Sequence, residues 1–116
     1  MTIYKVIFHI DEMSKWKLLL GNAANLLNDM GERNLTVEVL ANSEAVKFYS
    51  LDTDVDEEMG RMDQLQKRGV RFVACNNALN TYSMKKEDLF HFVEVVPAGV
   101  SELVRQQSEG YVYIKP

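Results

Sequence analysis

Cys75 is the strongest nucleophile of this chain and its only cysteine. It comes directly after residues 70–74, whose β-branched and aromatic side chains predict a strand. Asn76, Asn77 and a turn rich in backbone N–H groups follow it, and such a place can stabilise a thiolate. The other interpretation is a small buried apolar side chain, because free cysteines are commonly buried. Both interpretations are open at the level of sequence.

Polar residues and a glycine follow the other predicted strands as well. Ligands of parallel α/β sheets bind beyond the carboxyl ends of the strands. The ligand-binding residues predicted around Cys75 are therefore His9, Asp11, Asn42, Asn76, Asn77 and Gly99. His9 lies two residues before Asp11. It can be a general base oriented by the Asp11 carboxylate, or a histidine that is only hydrogen-bonded or solvated. His91 lies far from this group, and we expect it to be structural.

Alternating strands and helices must position these residues. Apolar or alternating segments predict strands at residues 3–10, 35–40, 70–74, 92–96 and 111–114. Apolar spacing and capping residues predict helices at about residues 14–30, 43–49, 57–68, 85–90 and 100–107, with an irregular segment at 76–82. Gly31, Gly69 and Gly110 end three helices, and a strand follows each. This order predicts a single α/β domain, residues 1–116, with a mostly parallel sheet between helices on both sides.

Composition and missing motifs exclude several classes of protein. The 116 residues are 47% hydrophobic and 26% charged, which is typical of a globular domain. The net charge of -4 provides no basic field for nucleic acid or anionic membranes. We expect a cytoplasmic protein, since no signal peptide or apolar run of membrane-spanning length is present.

Metal and nucleotide sites lack their sequence signatures. Two separated histidines and one cysteine do not make a zinc site, and neither G-x-G-x-x-G nor a P-loop motif occurs. Asp52-Thr53-Asp54-Val55-Asp56 resembles the start of a calcium loop, but Glu57 stands where that loop needs glycine. We therefore expect neither a metal nor a cofactor.

Four segments of the chain are distinctive in combination: Lys5-Val6-Ile7-Phe8-His9-Ile10-Asp11, residues 21–27, residues 69–77, and the closing stretch 96–116 with Val96-Pro97-Ala98-Gly99-Val100-Ser101-Glu102-Leu103-Val104-Arg105. Together they resemble the DsrE/DsrF-like family over nearly the whole chain. The resemblance implies a three-layer α/β/α fold with a five-stranded parallel sheet. It also implies homo-oligomers, often trimers or hexamers.

The resemblance further implies a role in sulfur relay for Cys75. In the sulfur-relay members, a cysteine after the third strand carries a persulfide between proteins, and Cys75 matches that position. The Cys75 thiolate would take a sulfane sulfur from a donor protein and pass it to an acceptor thiol, with Asn76, Asn77 and nearby backbone stabilising the anion. The alternative is a non-catalytic homo-oligomeric module that binds a small ligand or a nucleotide at subunit junctions.

Overall fold

Five strands form one parallel sheet in the computed structural model, which describes residues 3–53 and 56–116. The strands are β1 (Tyr4–Ile10), β2 (Leu35–Ala41), β3 (Arg71–Cys75), β4 (Glu94–Val96) and β5 (Val112–Ile114). Their order across the sheet is β4-β3-β2-β1-β5, and every neighbouring pair is parallel. The predicted α/β fold with a parallel five-stranded sheet is confirmed.

The direction of the crossover connections explains why helices cover both faces of the sheet. The helices are α1 (Trp16–Met30), α2 (Asp56–Lys67), α3 (Asn76–Thr81) and α4 (Gly99–Ser108). From β1 to β4 the chain moves across the sheet in one direction, whereas α4 returns from β4 to β5 at the far edge. Because right-handed crossovers in opposite directions lie on opposite faces, α4 packs on the face that α1 and α2 leave free.

The two faces of the sheet carry cores of very different size. The larger core packs α1 and α2 on one face, and its largest buried side chains are Trp16, Tyr49, Phe8 and Phe72. Trp16 stacks on Phe48 with ring centroids 4.7 Å apart and donates its indole N–H to the Ala45 carbonyl oxygen at 3.0 Å. Beneath α4 the core is small: Ile7, Leu40 and Val73 pack against Val96, Leu103 and Tyr111.

Two predictions for the segment between β3 and β4 were wrong. Residues 76–81, predicted to be irregular, form α3, because Ala78 and Leu79 bury their side chains and tertiary packing outweighs the poor helix propensity of asparagine. The helix predicted at 85–90 is one 3-10 turn, Lys86–Asp88, and Ser83 does not cap it. Asp88 closes this turn by accepting the Lys85 backbone N–H at 2.9 Å.

The other predicted elements differ from the observed ones mainly in helix type and in the residues at which they begin and end. Residues Ser43–Tyr49 form a 3-10 helix rather than an α-helix, and Ser14 lies in a 3-10 turn before α1 instead of capping it. β4 begins at Glu94 and β5 at Val112, so both edge strands are only three residues long. The acidic connection predicted at 51–56 lies partly outside the described residues, since 54 and 55 are not described.

Candidate functional site

A crevice opens at the carboxyl ends of β3 and β4. The connection after β3 lies on one face of the sheet and α4, which follows β4, lies on the other, so the two connections diverge here. This arrangement is the topological switch point at which open α/β sheets bind ligands. Cys75 is the last residue of β3 and pairs in register with Val96 of β4. The strand order, which the sequence did not reveal, therefore places Cys75 at the switch point.

A pocket of about 420 Å³ occupies this crevice. Among the described residues, its lining consists of Asp11, Asn42, Ser43, Cys75, Asn77, Ala78, Thr81, Tyr82, Gly99 and Val100. The structure thus brings together five of the residues predicted from the sequence: Asp11, Asn42, Cys75, Asn77 and Gly99. The walls provide amide and hydroxyl groups, and Asp11 adds a carboxylate that binds the Lys115 ammonium group at 3.1 Å.

Cys75 lies at a tightly packed point of the pocket. Its side chain is 7% exposed, and it is a free cysteine. A Cβ placed on Gly99 would lie 3.3 Å from Cys75 Cβ, which is closer than ordinary van der Waals contact, and 3.4 Å from Asn42 Cβ, at the lower limit of such contact. Glycine at position 99 therefore lets α4 approach both side chains. The thiol is buried and also lines a pocket. These surroundings fit a reactive cysteine as well as one that only fills the core.

His9 and Asn76 are placed differently from the sequence prediction. Neither residue lines the pocket: Asn76 is exposed at the start of α3, and His9 is separated from the pocket by Asn42. The His9 ring contacts Tyr113 Oη through Nδ1 at 2.6 Å and Asn42 Oδ1 through Nε2 at 3.1 Å. Since Asp11 binds Lys115, the geometry favours a hydrogen-bonded histidine over a base oriented by Asp11.

The sequence prediction missed several residues of the site. Thr81 and Tyr82 reach the pocket because α3 forms in a segment expected to be irregular, and Val100 reaches it because α4 begins at Gly99. Tyr113, in the strand predicted at residues 111–114, was not among the predicted site residues. Its hydrogen bond to His9 depends on β5 lying beside β1, a pairing that no local pattern indicates.

A buried carboxyl group lies beneath α4. Glu38 of β2 is fully buried and accepts hydrogen bonds from Gln106 Nε2 at 2.6 Å and Arg71 Nη1 at 3.2 Å. Its other oxygen has no hydrogen-bond partner in the described part of the chain. Burial, together with the neighbouring Glu102 carboxyl, raises the pKa of Glu38 to about 7. The hydrogen bond from Gln106 opposes this shift, and the positive charge of Arg71 opposes it less. The Arg71 guanidinium also forms two 2.9 Å hydrogen bonds with Glu94.

Residues 3–53 and 56–116 contain neither a group of metal-ligating side chains nor a helix that could cross a membrane. No three histidine, cysteine or acidic side chains in these ranges are grouped as metal ligands. None of the helices there has the length and apolar character needed to cross a membrane.

Comparison with known proteins identifies relatives over nearly the whole chain. The model of the DsrE/DsrF-like family matches residues 4–116. The protein of unknown function MTH1491 from Methanobacterium thermoautotrophicum is 40% identical, with a TM-score of 0.87 over 97% of this chain and 99% of that one. No curated protein matches the chain.

Two more distant structures share the fold. The ychN protein from E. coli is 16% identical, with a TM-score of 0.75 and complete coverage of both chains. The conserved protein of unknown function BT1422 from Bacteroides thetaiotaomicron is 12% identical, with a TM-score of 0.73 over 97% of this chain and 94% of that one. At these identities the likeness is one of fold alone.

Proposed function

The chain belongs to the DsrE/DsrF-like family, and from this premise we propose that it is a sulfur-relay protein that carries a persulfide on Cys75. The observation that carries the proposal is the position of Cys75 in a pocket at the switch point of the sheet. Ligand sites of open parallel sheets occur at this point. Asn42 and Asn77 line the pocket with side-chain amide groups, which can donate hydrogen bonds to a sulfur anion.

The proposed transfer proceeds in two exchange steps. The Cys75 thiolate attacks the outer sulfur of a donor persulfide, the donor's S–S bond breaks, and the donor leaves as a thiolate. Cys75 then bears the persulfide. An acceptor thiolate attacks the outer sulfur in turn, which regenerates the Cys75 thiolate. No external oxidant or reductant is needed, because each step breaks one sulfur–sulfur bond and forms another.

Uptake of sulfur by the native protein tests the proposal. After treatment with a low-molecular-weight persulfide, we expect the intact mass to rise by one sulfur atom and the added sulfur to move to an acceptor thiol. Cys75→Ser should gain no sulfur. Wild-type protein that keeps its original mass and is alkylated no faster than a model thiol would contradict the proposal.

A second candidate function is a non-catalytic homo-oligomeric module that binds a small ligand or a nucleotide at subunit junctions. Val100 favours it, because this apolar side chain lines the pocket and is 69% exposed. A second copy of the chain packed on α4 would cover Val100 and close the pocket. On this hypothesis Cys75→Ser leaves both assembly and ligand binding unchanged, whereas the sulfur-relay hypothesis requires that variant to lose all transfer.

A further inference from the structure

We propose that His9 and Tyr113 are positioning residues that hold the Asn42 amide with its NH₂ group toward Cys75. The pocket then offers a hydrogen-bond donor to the sulfur anion. The inference rests on the proposed sulfur-transfer function and deepens it, since it names the group that would stabilise both the thiolate and the persulfide.

Two short contacts join His9 to its hydrogen-bond partners, and the Asn42 atom that meets the ring sets the direction of both bonds. Tyr113 Oη lies 2.6 Å from Nδ1, and Asn42 Oδ1 lies 3.1 Å from Nε2. A neutral imidazole has one N–H donor and one acceptor nitrogen. Because Asn42 presents a carbonyl oxygen, Nε2 must carry the hydrogen and donate it. Nδ1 is then the acceptor, and the Tyr113 hydroxyl donates to it.

The direction of these bonds decides which end of Asn42 faces the sulfur. With Oδ1 held by His9, Nδ2 lies on the opposite side of the amide, 3.5 Å from the point where a Cβ on Gly99 would stand. Cys75 Cβ lies 3.3 Å from the same point, so the Asn42 amide and the cysteine side chain both border Gly99 and line the same pocket. Hydrogen bonds to a charged form stabilise it.

The opposite tautomer would reverse the effect. If Nδ1 carried the hydrogen, Nε2 would accept from Asn42 Nδ2 and the amide oxygen would turn toward Cys75. An oxygen lone pair facing the thiolate would disfavour the anion. The Tyr113 hydroxyl therefore influences the sulfur through two intervening side chains.

Alkylation kinetics of Cys75 with iodoacetamide test the inference. Asn42→Leu keeps the approximate size of the side chain and removes the NH₂ group without adding a charge, and we expect its rate at neutral pH to fall about tenfold. His9→Leu and Tyr113→Phe should slow the reaction in the same direction but less. At high pH, where the thiol is fully ionised, all rates should converge, which a merely structural defect would not produce. His91→Leu and Tyr111→Phe are matched controls that leave the three-residue chain intact, and they should react like wild type.

A nitrogen NMR spectrum of wild-type protein tests the tautomer without any substitution. We expect the neutral His9 ring to carry its hydrogen on Nε2, and a ring protonated on Nδ1 would overturn the inference. Wild-type alkylation rates in Asn42→Leu and His9→Leu would also overturn it, even if sulfur transfer were observed. If instead Asn42→Leu slows alkylation but wild-type protein takes up no sulfur, the positioning role stands and the proposed function fails.

Discussion

At the scale of single residues, Gly99 determines how closely α4 approaches the thiol. Its backbone lies where an added Cβ would be 3.3 Å from Cys75 Cβ and 3.4 Å from Asn42 Cβ. Neither neighbour is the mobile end of a long side chain, because both atoms are attached directly to backbone. The absence of a side chain at this position is therefore part of the site.

Gly99→Ala is expected to lower the free energy of unfolding by about 1 kcal/mol, since overpacking a close contact outweighs the small gain in helix propensity. We also expect slower alkylation of Cys75, because α4 must move relative to β3. Gly60→Ala is the matched control: no atom lies within 4 Å of its added Cβ in α2, so it should gain about 0.5–1 kcal/mol. Chemical denaturation measures both changes, and equal stabilisation of the two variants would show that Gly99 is not crowded.

At the scale of elements, α4 is joined to the sheet by a polar network rather than by a large apolar core. Gln106 and Glu102 of α4 meet Glu38 of β2, and Arg71 of β3 links Glu38 to Glu94 of β4. Burial beside the Glu102 carboxyl group favours the neutral form of Glu38, because an ionised Glu38 would lose its hydration and repel a negative charge on that neighbour. The docking of α4, and with it the wall of the pocket, therefore depends on the proton that Glu38 holds.

The stability of the fold should fall as pH rises from about 4.5 to 7. In this range the folded protein keeps a proton on Glu38, whose pKa is about 7, while the unfolded chain has lost it. Stability decreases with rising pH wherever the folded state binds more protons, and this one group contributes roughly 2–4 kcal/mol. The loss is complete once pH exceeds the folded-state pKa.

Urea denaturation at a series of pH values measures this dependence. Glu38→Gln keeps the shape and a donor without a titrating group, so its stability should vary less over the same range and exceed that of wild type above pH 7. Glu109→Gln, at an exposed position just after α4, should retain the wild-type pH dependence. A wild-type protein equally stable throughout the range would mean that Glu38 is ionised in the folded state.

At the scale of the whole molecule, the sequence predicted the layers better than the contacts between distant segments. The alternation of apolar segments with helices ended by Gly31, Gly69 and Gly110 predicted the parallel sheet correctly. Strand order was not predictable, because it depends on which way each crossover turns, and local patterns do not record this. The neighbours of Cys75 were only partly predictable for the same reason: Gly99 and Asn42 were identified as strand-end residues, but Tyr113 reaches His9 through the β1–β5 pairing.

Self-association is the proposal that belongs to this largest scale, and α4 is the surface on which we expect it. Val100 and Val104 are 69% and 63% exposed, and four-residue spacing places them on one face of the helix. Val104→Lys should weaken association at least tenfold, because a charge replaces an apolar side chain whose burial is worth about 1.5 kcal/mol. The monomer fold should be unaffected, since the position is exposed.

Sedimentation over a range of protein concentrations measures the effect of Val104→Lys. Leu18→Lys is the control: Leu18 is also apolar and 49% exposed, but it lies on α1, in the opposite layer of the molecule. We expect it to assemble like wild type. If both variants dissociate, the subunit contacts involve more than one face of the molecule. If only Leu18→Lys dissociates, the contact lies on the α1 layer instead of on α4. If Val104→Lys assembles normally, Val100 stays open to solvent and the pocket is bounded by one chain only.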